Sequence, residues 1–388
     1  MVITIVILII LAVVAINLAF GEGGLIKRAE QAGEYYANDT DYTGESIANV
    51  EKYMEEILAK NNAKLWDQTK VTTTVTEDNK YVPVPKGYVV SKATGETKVN
   101  EGLVIYEGTE EVNDGNVETA KKERNQFVWI PVTNTDLLEM YEEGEGTELA
   151  TALGVTLTTN VYSKNRKGLE EFTPEGEKAP MEPDILTSEV EGDAVTGNSE
   201  KGIEQIKSVF GYEGTNEEVL EAYGRMLVEE YKNAYESIKT YGGFYIGRYE
   251  ITGSIDSPTV IKDAEVIGYQ NWYNLYKACS KVAENEYVQS TMISGNQWDE
   301  LMDWLIDTGE KSEDEIYKDS RTWGNYKDSE GEAAEGSGTK RPAGYNEAWK
   351  ANNIYDIAGN VSEWTIETSY SGLRNVSQSC IYGRKLWL

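Results

Sequence analysis

NIYDIAGNVSEWT, running from Asn353 to Thr365, is the segment on which the reading of the fold turns. It joins an apolar run to a Gly359-Asn360 turn and closes on Glu363-Trp364. Working back from it, Trp323-Gly324-Asn325-Tyr326 comes first, and before that GNQWDELMDWL, Gly295 to Leu305. The latter predicts a helix, because Ser294 can cap it and Trp298, Leu301, Met302 and Leu305 recur at helical spacing, a stripe suited to core packing. Trp272 to Asn285 predicts a second amphipathic helix, carrying Cys279. FYIGRYEIT, Phe244 to Thr252, reads as a strand whose glycines permit close backbone approach. Far upstream, Asn125-Gln126-Phe127-Val128-Trp129-Ile130-Pro131-Val132 is a strongly apolar strand that opens the domain.

This ordered set resembles the formylglycine-generating enzyme family, also called sulfatase-modifying factor, whose domain is a variant of the C-type lectin fold. The resemblance runs from about Gln126 to Thr365, an acidic insertion excepted, and implies an irregular α+β domain. In the family the Gly-Asn-x-x-Glu-Trp turn helps to bind a structural calcium ion. By position, Asn360 and Glu363 are therefore carried over as candidate calcium ligands. Amide, carboxylate and backbone carbonyl oxygens suit that hard cation. The alternative is a turn in which both residues only cap local backbone. Ser362 stands where the family often has an aromatic residue.

The carboxyl end departs from the resemblance. Catalytic members carry an Arg-Gly-Gly-Ser run, a pair of copper-binding cysteines and a closing Gly-Phe-Arg strand well beyond the Glu-Trp turn. None of these stands in the 24 residues from Thr365 to Leu388, which reads as a truncated or frameshifted ending. Cys380 is the single late cysteine, and Cys279, on its amphipathic helix, reads as a small core hydrophobe. A soft cuprous ion needs two thiolates, so copper is not expected and no catalytic residue is assigned.

Composition narrows the function classes further. The chain has 388 residues, enough for two or three domains, with 36 Lys+Arg against 67 Asp+Glu and a net charge of −31. Such a surface repels a phosphate backbone, which excludes nucleic acid as a partner. With no histidine and two cysteines, the chain lacks the usual general base, the Ser-His and Cys-His nucleophile pairs and a four-ligand zinc set. The acidity suits a solvated extracytoplasmic surface or carboxylate-rich cation sites.

The amino terminus points to a membrane. Met1 to Phe20 carries no charge and, as a helix, spans roughly 30 Å, about one hydrocarbon thickness. A cleaved signal peptide is the alternative, but a charged n-region is missing. The stretch Val2 to Ala32, with Gly21-Glu22-Gly23-Gly24-Leu25-Ile26-Lys27-Arg28-Ala29 after the apolar run, resembles the mature helix of type IV pilin-like proteins of Gram-positive bacteria. The family's basic leader, its cleavage site and its acidic fifth residue are absent, which favours a plain anchor over an assembled pilus. The flanking charges set no orientation. Glu45 to Lys64, with Ile47, Val50, Met54, Ile57 and Leu58 near a 3.6 period, predicts a stalk helix.

The domains expected are thus a pilin-like helix and stalk over residues 1–64, a short β-rich connector over 65–124, and the enzyme-like domain over 125–388. In the connector, Val71 to Val75 and Gly87 to Val90 read as short strands, and Glu107 to Glu123 as an exposed loop. Residues 142–214 read as a solvated acidic insertion, and Glu217 to Lys239 as a core-facing helix. Together these features predict a bacterial surface protein. It is anchored in the membrane by residues 1–20 and presents a non-catalytic lectin-like domain to a protein or glycan ligand. The competing expectations are a formylglycine-generating oxidase acting on a sulfatase cysteine, and a pilus subunit.

Overall fold

The computed structural model describes residues 59–132, 188–190, 193–195 and 199–365. Contacts divide the chain into Met1–Lys60 and Asn61–Leu388, and the second unit is the one described below. The apolar anchor, the pilin-like turn, most of the stalk helix, the bulk of the acidic insertion and Cys380 lie outside the described residues. Among the described residues no helix is long and apolar enough to cross a membrane.

Strands β1 (Val71–Val75) and β2 (Tyr81–Pro85) form an antiparallel hairpin. The main sheet follows, with β3 (Tyr88–Val90), β4 (Val104–Glu107), β5 (Gln126–Pro131) and, after a long excursion, β8 (Gly243–Gly247), in the order β3-β4-β5-β8. All its pairings are antiparallel, with Val128 opposite Val104 on one side and Ile246 on the other. Alternate residues of β4 and β5 point to opposite faces. Val104, Tyr106, Val128 and Ile130 pack on one core, while Ile105, Phe127 and Trp129 pack on another. A strand covered on both faces needs an unbroken apolar run, which is what Phe127 to Pro131 supplies.

The segment expected as a connector over 65–124 contributes β3 and β4 to the same sheet as β5. Glu107 to Glu123 is not all exposed loop: helix α1 (Val117–Glu123) forms there, with Val112, Val117 and Ala120 buried in the first core.

The described end of the acidic insertion is likewise ordered. A short hairpin of β6 (Ser188–Val190) and β7 (Asp193–Val195) precedes α2 (Glu200–Phe210), which Ser199 caps and Gly211 ends in the left-handed region. Ile203, Ile206 and Val209 bury one face of α2 against α3 (Asn216–Tyr241) and α4 (Trp272–Cys279), with Tyr223, Trp272, Tyr273 and Tyr276. Helix α4 stops earlier than predicted. The chain beyond Cys279 makes the small hairpin β11 (Glu284–Asn285) and β12 (Val288–Gln289) instead. Two further short hairpins, β9 (Thr252–Gly253) with β10 (Pro258–Thr259) and β13 (Lys350–Ala351) with β14 (Ile354–Tyr355), complete the antiparallel pairs.

Helix α5 (Gly295–Asp307) forms where expected, with a reciprocal cap between Ser294 and Gln297. Its Leu301, Met302, Trp304 and Leu305 fill the first core, and the short α6 (Glu313–Tyr317) adds Ile316. The chain is therefore a mixed α+β protein built from several small antiparallel sheets and helices.

Candidate functional site: an acidic cavity where the motifs meet

Past β14 the backbone turns through left-handed residues, Asp356 at φ 60°, Gly359 at φ 88° and Asn360 at φ 60°. Asp and Asn tolerate that region better than other side chains. Gly359 has no substitute, since a Cβ there would lie 2.4 Å from the carbonyl oxygen of Asn325. That contact belongs to a bridge between the Trp323–Tyr326 segment and the turn, in which the Asn325 amide donates to the carbonyl of Ala358 at 2.9 Å.

Asn360 holds this junction together with every valence of its amide. Its Oδ1 accepts from Asn325 Nδ2 at 2.9 Å and from the Arg341 backbone amide at 2.8 Å. Its Nδ2 donates to Glu250 Oε2 and to the Arg341 carbonyl at 3.2 Å. The backbone amide of Val361 donates to the other oxygen of Glu250 at 3.1 Å. The strand expected over Phe244 to Thr252 ends at Gly247, and Glu250, in the irregular segment beyond it, is thereby pinned to the Gly-Asn turn from more than a hundred residues away. The sheet behind it is fixed by Arg248, which is 1% exposed. Its Nη1 contacts Glu96 at 2.7 Å and Gln126 at 3.2 Å, and its Nη2 reaches Asn353 at 3.3 Å.

Three carboxyls collect beside the turn, at Glu250, Asp356 and Glu363, and all three line one cavity of about 550 Å³. Asp356 is wholly buried; its Oδ2 accepts from the Gly344 amide at 2.8 Å, while Oδ1 has no partner. Glu363 keeps partial residue exposure, but its Oε1 is enclosed and also has no partner. Burial pushes the Asp356 carboxyl up to about 6, against the opposing amide bond from Gly344. Burial also raises Glu363 well above the usual carboxylate range, and the charge of Asp356 adds to it. Glu250 is raised by burial first and then by the charges of Asp356 and Glu363, which outweigh its bonds from Asn360 and Val361.

The cavity is also where the quoted motifs converge. Phe244 to Ile251 supply one wall, Gln297, Trp298 and Leu301 a second, and Ile354 to Ile357 with Val361 to Trp364 a third. Helix α3, the β11–β12 hairpin and residues of the main sheet such as Ile105, Phe127 and Trp129 also line it. Cys279 also lines it, and burial pushes that thiol up to about 12, the opposite of what a thiolate ligand requires.

The expected calcium pair is brought to this place only in part. Glu363 has an oxygen free for a cation, but both acceptor positions of the Asn360 amide oxygen are already taken by N–H donors. Among the described residues no group of three His, Cys, Asp or Glu side chains is gathered to hold a metal ion. In this arrangement Asn360 is a structural bracket and does not fit as a ligand. Sequence reasoning missed Glu250 and Asp356, although Glu250 stands in the quoted FYIGRYEIT and Asp356 in NIYDIAGNVSEWT. Compared with known proteins, no family model, no curated protein and no solved structure matches the chain.

Proposed function

We propose that the chain is a bacterial surface protein, anchored by residues 1–20, whose α+β unit is a non-catalytic, C-type-lectin-like binding domain of the formylglycine-generating enzyme type. The observation that carries the reading is the convergence of the three most specific motifs on one cavity of about 550 Å³. Enclosed pockets of roughly 300–1,000 Å³ with mostly apolar walls and a few placed polar groups are the usual form of a small-molecule site. The raised Cys279 thiol weighs against the oxidase alternative, which needs thiolate chemistry. Calcium at Asn360 and Glu363 is implied by resemblance alone, and the reading does not depend on it.

The test uses the full chain in phosphatidylcholine nanodiscs. A panel of small aromatic and alicyclic compounds, neutral, cationic and anionic, is screened for compounds that raise the unfolding midpoint, as a ligand of the native state must. The expected result is at least one binder whose effect disappears when Ala283→Leu fills part of the cavity, with the far-UV circular dichroism unchanged. A panel without a binder, or binding indifferent to that change, would overturn the reading of the cavity. On intact Gram-positive cells expressing the full chain, an antibody to residues 61–388 should label the surface. Labelling only after lysis would remove the surface assignment.

A further inference from the structure

The charge of the cavity wall is one-sided. Glu230, Glu250, Asp356 and Glu363 line it, and no lysine or arginine does. Glu230 is already occupied, accepting from the hydroxyls of Tyr276 and Thr291. The other three have no ion-pair partner among the described residues, although this chain pairs acids with bases at many other places, including the buried Glu96 with Arg248. Uncompensated buried carboxyls cost stability, and a buried oxygen without a donor costs more. Asp356 Oδ1 and Glu363 Oε1 are two such oxygens on one wall. A group that brings positive charge and N–H donors would satisfy both.

Two features separate the classes of cation. The acids are not gathered closely enough to form a metal site, and the rest of the lining is mostly apolar and aromatic, including Phe127, Trp129, Tyr245 and Trp298. Such walls bury a carbon body, and aromatic faces attract an ammonium ion besides. We propose that this cavity binds an organic ammonium ion, an amine carried on an apolar or aromatic body, with Asp356 and Glu363 taking its N–H donors and Glu250 adding the third carboxyl. This deepens the binding-domain reading and rests on it.

The experiment titrates the full chain, in phosphatidylcholine nanodiscs at neutral pH, with three probes that share a phenylalkyl body: phenethylamine, phenethyl alcohol and hydrocinnamate. Calorimetry is expected to show the amine binding at least about tenfold more tightly than the alcohol, and the carboxylate not binding. Glu363→Gln is expected to weaken the amine by about tenfold or more, leave the alcohol unchanged, and raise the unfolding midpoint without ligand. A purely structural Glu363 would not move those readouts in opposite directions. Because the probe series uses the unaltered chain, the result stands even if the variant misfolds. Equal binding of amine and alcohol would overturn this inference and leave the binding-domain reading intact. Calcium, in place of the amine, raising the midpoint through Glu363 would overturn it in favour of a metal. Failure of all three probes, together with an empty general screen, would overturn both.

Discussion

Arg248, buried just past the end of β8, organises the domain. Its guanidinium meets Glu96, 152 positions away in sequence, and Glu96 Oε2 in turn accepts from Ser91 at 2.7 Å and from the Tyr106 hydroxyl at 3.0 Å. Asn353, the first residue of the motif that decided the reading, spends its side-chain nitrogen on the carbonyls of Gly95, Glu101 and Gly102. Arg248→Met would leave the buried Glu96 with only Lys121, 3.7 Å away, as a cation, a loss of about 3 kcal/mol. Urea unfolding of the full chain checks this, and the double change with Glu96→Gln should recover a substantial part. No recovery would mean that the arginine contributes packing and little charge. Neither residue of this pair was legible in the sequence: Arg248 stands in a quoted motif and Glu96 in a loop of mixed lysine and glutamate, and nothing local shows that the two will be buried together.

Helices in this fold begin with explicit instructions. Thr215 with Glu218, Ser294 with Gln297 and Ser312 with Glu315 form reciprocal caps at α3, α5 and α6. Of these, the cap of α5 adjoins the cavity, since Gln297 and Trp298 line it. Ser294→Ala should lower stability by about 1 kcal/mol through the lost bond to the Gln297 amide. Thermal unfolding measures it, and a change no larger than that of an exposed substitution would show that tertiary packing alone places the helix. Elements with a dense apolar pattern were read correctly: β5 is an uncharged run, and α5 places Trp298, Leu301, Met302 and Leu305 at helical spacing behind a capping Ser294. Helices α1 and α2 were not, because their few buried residues, Val117 and Ala120 or Ile203, Ile206 and Val209, are diluted by glutamate and lysine. Such weak periodicity becomes a helix only when a neighbouring core receives its face.

For the whole molecule, the acidic cavity couples stability to pH. A carboxyl raised on folding binds its proton more tightly in the native state than in the unfolded one. Its stabilising contribution is therefore complete below the unfolded value near 3.8 and is lost as pH rises through the folded value of about 6 for Asp356. The penalty above that window is roughly 3 kcal/mol. Asp356→Asn keeps an oxygen for the Gly344 amide and removes the ionisation. Its stability relative to the unaltered chain should grow as pH rises through that interval, as denaturant unfolding at a series of pH values would show. A difference independent of pH would mean that Asp356 does not titrate in the interval.

By itself the sequence determined the apolar strand at the centre of the sheet, the capped helix α5, the Gly-Asn turn and the acidic balance, since each depends on residues adjacent in the chain or on composition. Only the tertiary structure decided that Asn360 would be consumed as a bracket and that Glu250, Asp356 and Glu363 would line one cavity without a base. Local periodicity reports which residues avoid water. The charge state and partners of a buried acid depend on which distant residues exclude water from it, and that is settled only when the sheet, the helices and the turn close around the same space.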